Sequence, residues 1–267
     1  MNKREFLKGA VVFIPAAGVL GAVARHAAGK ETAAKEPAAK QPAAAPNAKN
    51  GYEPSAHYYG MGIDIDKCIG CNLCAVACKV ENDVPDEPFY FRTWVERYTI
   101  TRDGEVSVGN ISLGTAREPM REPVQDAREV VRTFFVPKLC NQCQKPPCVQ
   151  VCPVNATFTT QDGVVIIDAE RCIGCRYCIQ ACPYGQRYLH PKTRVADKCT
   201  FCLHRLVKGL QPACVEVCPT QARIFGDLRS HASRLVRFRR LNKLHVLKPQ
   251  LNTDPKVYYA NLDGEVR

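Results

Sequence analysis

Nowhere in the 267 residues is there an unbroken apolar run of the roughly 20 residues that a membrane-spanning helix needs. The longest apolar stretch, residues 9–24, is too short and is interrupted by Pro15. A chain woven through a bilayer is thereby excluded. Hydrophobic residues at 46% and charged residues at 24% exclude a wholly disordered chain too, and the length allows one or two domains. Only one stretch lacks large apolar side chains almost entirely: residues 29–56, rich in Ala and Lys and punctuated by Pro37, Pro42, Pro46 and Pro54, which read as a disordered tether. Tryptophan is nearly missing. The single Trp94 is read as a core residue rather than a partner anchor. What the chain has in excess is cysteine, with 16 residues, far beyond the needs of packing.

The start of the chain reads as an export signal over residues 1–28. A basic opening, Lys3-Arg4, is followed by Phe6-Leu7-Lys8, a short apolar region and the small-residue site Ala22-Val23-Ala24. The order Lys3-Arg4-Glu5-Phe6-Leu7-Lys8 is similar to the twin-arginine pattern, with Lys in place of the first Arg. That route carries folded proteins, as a chain loaded with cofactor in the cytoplasm would require.

The cysteines fall into four groups: Cys68, Cys71, Cys74, Cys78; Cys140, Cys143, Cys148, Cys152; Cys172, Cys175, Cys178, Cys182; and Cys199, Cys202, Cys214, Cys218. None is left over. Groups one and three are CxxCxxCxxxC, groups two and four widen the middle gap, and the last three end in Cys-Pro at Pro153, Pro183 and Pro219. This is the ligand spacing of two-cluster bacterial ferredoxins, repeated. Three thiolates two residues apart let one tight loop cover three corners of a cubane, with backbone N–H groups turned to the sulfurs. Gly70 and Gly174 stand where the chain turns most sharply, Ile69 and Ile173 are expected to wall the clusters off from water, and the Pro after the fourth cysteine suits the first turn of a departing helix.

Linker length bears on the pairing of groups. The 19 residues between Cys152 and Cys172 hold Thr157 to Thr160, an Asp162-Gly163 turn and Val164 to Ile167, a hairpin. Groups two and three then form one unit, with Cys140, Cys143, Cys148 and Cys182 on one cluster and Cys172, Cys175, Cys178 and Cys152 on the other. Groups one and four form a second unit, with Cys68, Cys71, Cys74 and Cys218, and with Cys199, Cys202, Cys214 and Cys78. Sequential pairing, one with two and three with four, stays open on spacing alone.

Disulfides would staple distant segments rather than neighbours two or three residues apart, and tetrahedral zinc has no use for the third cysteine of CxxCxxC. No CxxxCxxC motif of a radical enzyme follows any group, and 16 cysteines divide into four filled sets, leaving no open iron for a hydratase. Zinc with a nucleic-acid surface conflicts with export, so no nucleic acid is expected.

From about Tyr58 to Asp227, and more weakly to Tyr259, the chain resembles the four-cluster iron-sulfur subunits of molybdopterin oxidoreductases. The residues that carry the match are Cys68-Ile69-Gly70-Cys71, Glu81-Asn82-Asp83-Val84-Pro85, Cys140-Asn141-Gln142-Cys143 with Pro146-Pro147-Cys148, Ala181-Cys182-Pro183-Tyr184, and Asp197-Lys198-Cys199-Thr200-Phe201-Cys202, extended by Pro212-Ala213-Cys214, Cys218-Pro219 and Phe225-Gly226-Asp227. Leu247-Lys248-Pro249 and Val257-Tyr258-Tyr259 look most like the tetrathionate reductase iron-sulfur subunits. The resemblance implies four 4Fe-4S clusters and no catalysis: an electron wire between a molybdopterin catalytic subunit and a quinone-handling membrane subunit or a cytochrome. A freely diffusing periplasmic polyferredoxin is the competing reading.

The expected fold is α+β: two tandem or nested ferredoxin-like two-cluster units over residues 57–228, the inner unit at 137–188, with a β-rich insertion. In the 61 residues between groups one and two, Phe91 to Thr101, Val106 with Val108, and Val130 to Val136 read as strands, and residues 109–128 as a loop. Residues 229–267 are expected to be a basic helix and a C-terminal tail. Seven Lys/Arg and no acid lie between Arg229 and Lys248, and Leu235, Phe238, Leu241 and Leu244 recur every third residue as an apolar stripe. The net charge of +11 is not a polyanion signal. Loss of residues 1–24 leaves +9, and four oxidised cubanes at two negative charges each bring the chain to about +1.

Overall fold

A computed structural model describes residues 51–87, 89–112 and 129–266. The expected export signal, most of the tether and most of the loop at 109–128 lie outside the described residues. Along the chain come β1 (Tyr59–Asp64), α1 (Leu73–Glu81), β2 (Thr93–Thr101), β3 (Val106–Asn110), β4 (Val130–Leu139), α2 (Pro147–Gln150), β5 (Thr157–Thr159) and β6 (Val165–Ile167). They are followed by α3 (Tyr177–Gln180), β7 (Tyr188–Leu189), β8 (Ala196–Asp197), α4 (Leu203–Leu206), α5 (Ala213–Glu216), β9 (Arg223–Asp227), α6 (Arg234–Leu241), β10 (Leu244–His245) and β11 (Val257–Ala260).

The central sheet has the order β10-β11-β1-β9, with β1 parallel to β11 and antiparallel to β9. Its middle strand, Tyr-Gly-Met-Gly-Ile-Asp, is buried throughout. Because side chains alternate along a strand, the large residues Tyr59, Met61 and Ile63 share one face, where Tyr59 stacks on Phe225 and Phe225 meets the edge of Phe201. Gly60 and Gly62 leave the other face bare, and α6 fills it with Leu235 and Phe238. A Cβ on Gly62 would stand 2.6 Å from the Phe238 ring. Gly62→Ala should therefore cost about 1–3 kcal/mol by overpacking. Denaturant unfolding of the cluster-loaded protein checks this, and an unchanged midpoint would show that α6 is not seated there.

A three-stranded antiparallel sheet, β3-β2-β4, is the expected β-rich insertion between groups one and two, with Thr93 opposite Leu139 and Tyr98 opposite Phe134. β5 and β6 form the expected hairpin. At its turn Gly163 has φ +78°, and buried Asp162 accepts from Tyr52 Oη at 2.5 Å, from the Thr160 hydroxyl and from the Val164 N–H.

The packing differs from expectation at several points. Although the tether is expected to reach residue 56, Tyr52 already packs on the core and stacks on His57. Packing does not end at residue 228 either. β11 lies inside the central sheet, Lys256, Val257, Tyr259 and Ala260 are buried, and Tyr259 Oη donates to the Pro137 carbonyl at 3.0 Å. Val257-Tyr258-Tyr259 is therefore core strand, not tail. The α6 stripe is half as long as the periodicity suggests: Leu235 and Phe238 are buried, Leu241 is 71% exposed, and Leu244 already belongs to β10. Trp94 is half-buried and outside the core, its indole N–H donating to Glu96 Oε1 at 2.9 Å. Gly109 and Asn110, read as loop, complete β3.

Candidate metal centres

The antiparallel register of β1 and β9 sets Ile63 opposite Arg223. Continued five residues outward, it sets position 68 opposite position 218, and Asp64 N–H bonds the Ala222 carbonyl on the way. Cys68, Cys71, Cys74 and Cys218 accordingly line one apolar cavity. The β5–β6 hairpin repeats the construction. Thr157 pairs with Ile167, and the same five-residue extension of the register would set position 152 opposite position 172. Two ladders far apart in the chain thus share one offset between a fourth and a first cysteine.

Cys78, Cys199, Cys202 and Cys214 line a second cavity, α1 packing on α5 to bring Cys78 to group four. Around Cys143 the facing thiols are those of Cys140, Cys148 and Cys182. Cys172 and Cys178 pack in a small cluster with Val165, Ala196 and Cys148. We call these the Cys68, Cys199, Cys140 and Cys172 sets. They follow one another: Cys74 neighbours Cys214, Cys199 neighbours Cys140, and Cys148 packs with Cys178. The middle sets are the buried ones, and an exposed cysteine occurs only in the first and last, at Cys71 and Cys175.

Backbone geometry explains the loops. Gly70 and Gly174 both have φ +68°, and a Cβ would meet the Phe135 ring at 2.5 Å or the Arg194 carbonyl at 2.5 Å. The Pro after the fourth cysteine does not open a helix. At Cys152, Cys182 and Cys218 a one-turn helix (α2, α3, α5) ends before the cysteine, and Pro153, Pro183 and Pro219 keep the chain from continuing it. The chain turns back instead and aims N–H groups at the thiol: Val154, Ala156 and Thr157 at Cys152; Tyr184 and Gln186 at Cys182; Ala222 and Arg223 at Cys218. Burial by itself would raise Cys218, but those donors and the Thr220 hydroxyl hold it below the ordinary thiol value. Where the donors are fewer, burial wins. It pushes Cys68 and Cys214 up to about 11 and Cys143 up to about 12. Such thiols give up their protons to a metal rather than to water.

Ile69 and Ile173 do not wall off water. They are 58% and 65% exposed, because the loops they occupy face solvent.

Other site residues carry no cysteine and escape a reading of the spacing. Asp197 takes Arg92 through Nε at 2.9 Å and Nη2 at 2.8 Å; Arg92 Nη1 donates to Asn82 Oδ1 at 2.8 Å; Asn82 Nδ2 in turn faces the sulfurs of Cys78 at 3.5 Å and Cys202 at 3.6 Å. Gln142, fully buried, ties group two to group four and to the hairpin, donating to the Cys199 carbonyl and accepting from Val165 N–H, both at 2.7 Å. Arg187 Nη2 donates to Cys148 Sγ at 2.9 Å. Arg223 Nη2 donates to Thr93 Oγ1 at 2.8 Å, while its buried Nη1 has no acceptor and the guanidinium lies against Cys74 and Cys214. An orphaned guanidinium N–H beside soft thiols fits an anionic iron-sulfur cluster and has no explanation in packing. A signal for both arginines was present: each stands five residues after the fourth cysteine of its group, in Cys-Pro-x-x-x-Arg.

Comparison with known proteins agrees with the chemistry of the site. Residues 67–156 and residues 131–228 each match the family described as 4Fe-4S dicluster domain. The chain is 44% identical over 209 residues to a tetrathionate reductase subunit of Salmonella typhimurium, covering 78% of this chain and 74% of that one. It is 44% identical over 208 residues to a tetrathionate reductase subunit of Archaeoglobus fulgidus, covering 77% and 83%. A polysulfide reductase chain of Wolinella succinogenes is 37% identical over 210 residues, covering 76% and 94%. Four sets of four cysteines and two dicluster matches amount to four 4Fe-4S clusters, and the protein belongs to the family of iron-sulfur electron-transfer subunits of molybdopterin oxidoreductases.

Proposed function

We propose that this chain is the non-catalytic electron relay of a respiratory complex, seated between a molybdopterin catalytic subunit and a quinone-handling membrane subunit or a cytochrome, on the periplasmic side. The Cys68, Cys199, Cys140 and Cys172 sets each hold one cluster, with the fourth ligand crossing over between groups one and four and between groups two and three. The unit at residues 137–188 is then nested between the halves of the outer one. Each bound 4Fe-4S cluster supplies a one-electron carrier. The side chains hold and shield it: thiolates bind, the N–H groups after each Cys-Pro and the Asn82 amide stabilise sulfur charge, and the core keeps water from the middle sets.

The observation that carries the reading is the row of four sets with a buried middle and two open ends. At each end an exposed cysteine is flanked by exposed large apolar side chains, Ile69 and Leu73 beside Cys71, Ile173 and Tyr177 beside Cys175. Two such ends suit two fixed partners better than free diffusion. No helix among the described residues is long and apolar enough to cross a membrane. Purification of the chain from native membranes should bring a molybdenum-containing subunit with it. Recovery as a free monomer without molybdenum would favour the diffusing polyferredoxin.

Export with clusters in place follows from the Lys3-Arg4-Glu5-Phe6-Leu7-Lys8 start, residues 1–28 acting as the signal. Arg4→Gln should leave cluster-loaded protein in the cytoplasm. If that variant reaches the periplasm with full iron content, the signal reading fails.

A further inference from the structure

Three basic side chains are buried at the three junctions between neighbouring cysteine sets. Arg223, 2% exposed, faces Cys68 and Cys74 on one side and Cys214 on the other. Lys198, with no exposure at all, faces Cys199 on one side and Cys140 and Cys148 on the other. Arg187, 5% exposed, faces Cys140 and Cys148 on one side and Cys178 on the other. The pattern is one cation to each junction.

None of the three has a carboxylate within ion-pair distance among the described residues. Lys198 Nζ donates to the carbonyls of Val165 and, at 2.9 Å, of Cys199. Arg187 donates to Thr157 Oγ1 at 3.3 Å and to Cys148 sulfur, and Arg223 to Thr93 Oγ1. Elsewhere Arg92 and buried Lys138 are paired with carboxylates, while buried Lys79 and Lys256 donate to the carbonyls of Pro85 and Gly163. Arg92 is doubly bonded to Asp197, and Lys138 lies 3.4 Å from Glu96. An unpaired charge in the interior is costly, so a cation placed without a carboxylate answers to another anion. Among the described residues, the groups on both sides of each junction that can carry negative charge are the cysteine sulfurs and whatever they hold.

We propose that Arg223, Lys198 and Arg187 set the reduction potentials of the clusters in adjacent pairs, each cation raising the two that flank it. The proposal rests on the ligand sets given above. Adding an electron makes a cluster more negative, and a low-dielectric interior opposes this most strongly at the two central sets. Those sets are each flanked by two junction cations, Arg223 with Lys198 and Lys198 with Arg187, and buried Lys256 adds a further one beside Cys140 and Cys143. The half-exposed terminal sets have one each. The number of cations thus rises with the depth of burial, as levelling a row of carriers against its own burial requires. These are positioning residues, since none is a ligand.

The test is a redox titration of the cluster-loaded full chain followed by electron paramagnetic resonance. Each signal is assigned beforehand by its loss in a Cys→Ser variant of one set. Lys198→Gln should lower the reduced-to-oxidised ratio at a fixed ambient potential at least tenfold, about 59 mV for a one-electron couple, in the Cys199 and Cys140 clusters, and leave the other two in place. Arg187→Gln should move the Cys140 and Cys172 clusters, and Arg223→Gln the Cys68 and Cys199 clusters. The charge-keeping Arg187→Lys and Arg223→Lys should move none. The proposal is overturned if the charge-removing variants load four clusters with unchanged potentials, if all four shift together, or if the charge-keeping variants shift as far as the neutral ones. Should the neutral variants fail to load, the charge-keeping pair decides: wild-type potentials in both support the proposal, and a tenfold change of the reduced-to-oxidised ratio in either overturns it. Failure of the relay reading itself would look different, because the wild type would then lack four assignable signals.

Discussion

Cys218→Ser should damage the cluster held by Cys68, Cys71 and Cys74, about 145 residues away in sequence, and spare the one held by its neighbours Cys199, Cys202 and Cys214. The β1–β9 register makes the reason physical. Two antiparallel strands carry the ends of groups four and one to the same place, and the one-turn helix α5 turns Cys214 toward Cys78 while Pro219 sends Cys218 the other way. The expected result is loss or conversion of one cluster signal out of four, with about one to four of roughly 16 irons lost. Cys152→Ser should act likewise on the Cys172 cluster, because the β5–β6 ladder has the same offset. Assignment of the altered signal to the Cys199 set would refute the crossing.

Removing iron should unfold the core rather than leave an empty shell. Stripped of its clusters, the chain keeps Arg223, Lys198 and Arg187 buried with no carboxylate in reach among the described residues. Leaving a buried charge without its partner costs about 3–5 kcal/mol, so three such charges reach about 9–15 kcal/mol. That matches the whole stability of an ordinary domain, about 5–15 kcal/mol. The thiols do not offset the loss, since buried groups such as Cys143, pushed up to about 12, simply take back protons. Because loading displaces those protons, iron uptake should strengthen as pH rises. Chelation under reducing conditions should abolish near-ultraviolet circular dichroism and expose residues 67–228 to protease within the same step. An apo chain that keeps native protection of its amide protons would contradict this.

Why one part of the fold is legible in the sequence and another is not comes down to the range of the forces involved. Cysteine spacing is a local constraint, set by the size of a cubane, so the four groups can be read directly. The 157–167 hairpin is equally local: an Asp-Gly turn fixes its register. The β1–β9 pairing is not local, yet the cysteine groups at the inner ends of its strands announce it. Burial cannot be read this way. Lys198 looks like a surface residue ahead of Cys199 and lies fully inside, whereas Ile69 and Ile173 look like core and lie open. Leu241 follows a periodicity that α6 cannot use, because the helix is only eight residues long and the sheet face beneath it is filled by Leu235 and Phe238. The final strand is hidden for the same reason, since Val257-Tyr258-Tyr259 gains its place only by lying against β1.

The central claim is that four cysteine sets, two of them closed across the length of the chain, hold four cubanes in a row. An anomalous-scattering map at the iron edge, from crystals of the loaded protein, tests it most directly. The account predicts four cubane peaks, one within bonding distance of the sulfurs of Cys68, Cys71, Cys74 and Cys218, with Cys78 on the cubane of Cys199, Cys202 and Cys214. A map in which Cys218 binds the cubane of Cys199, Cys202 and Cys214, or one with fewer than four cubanes in a fully loaded chain, would contradict it.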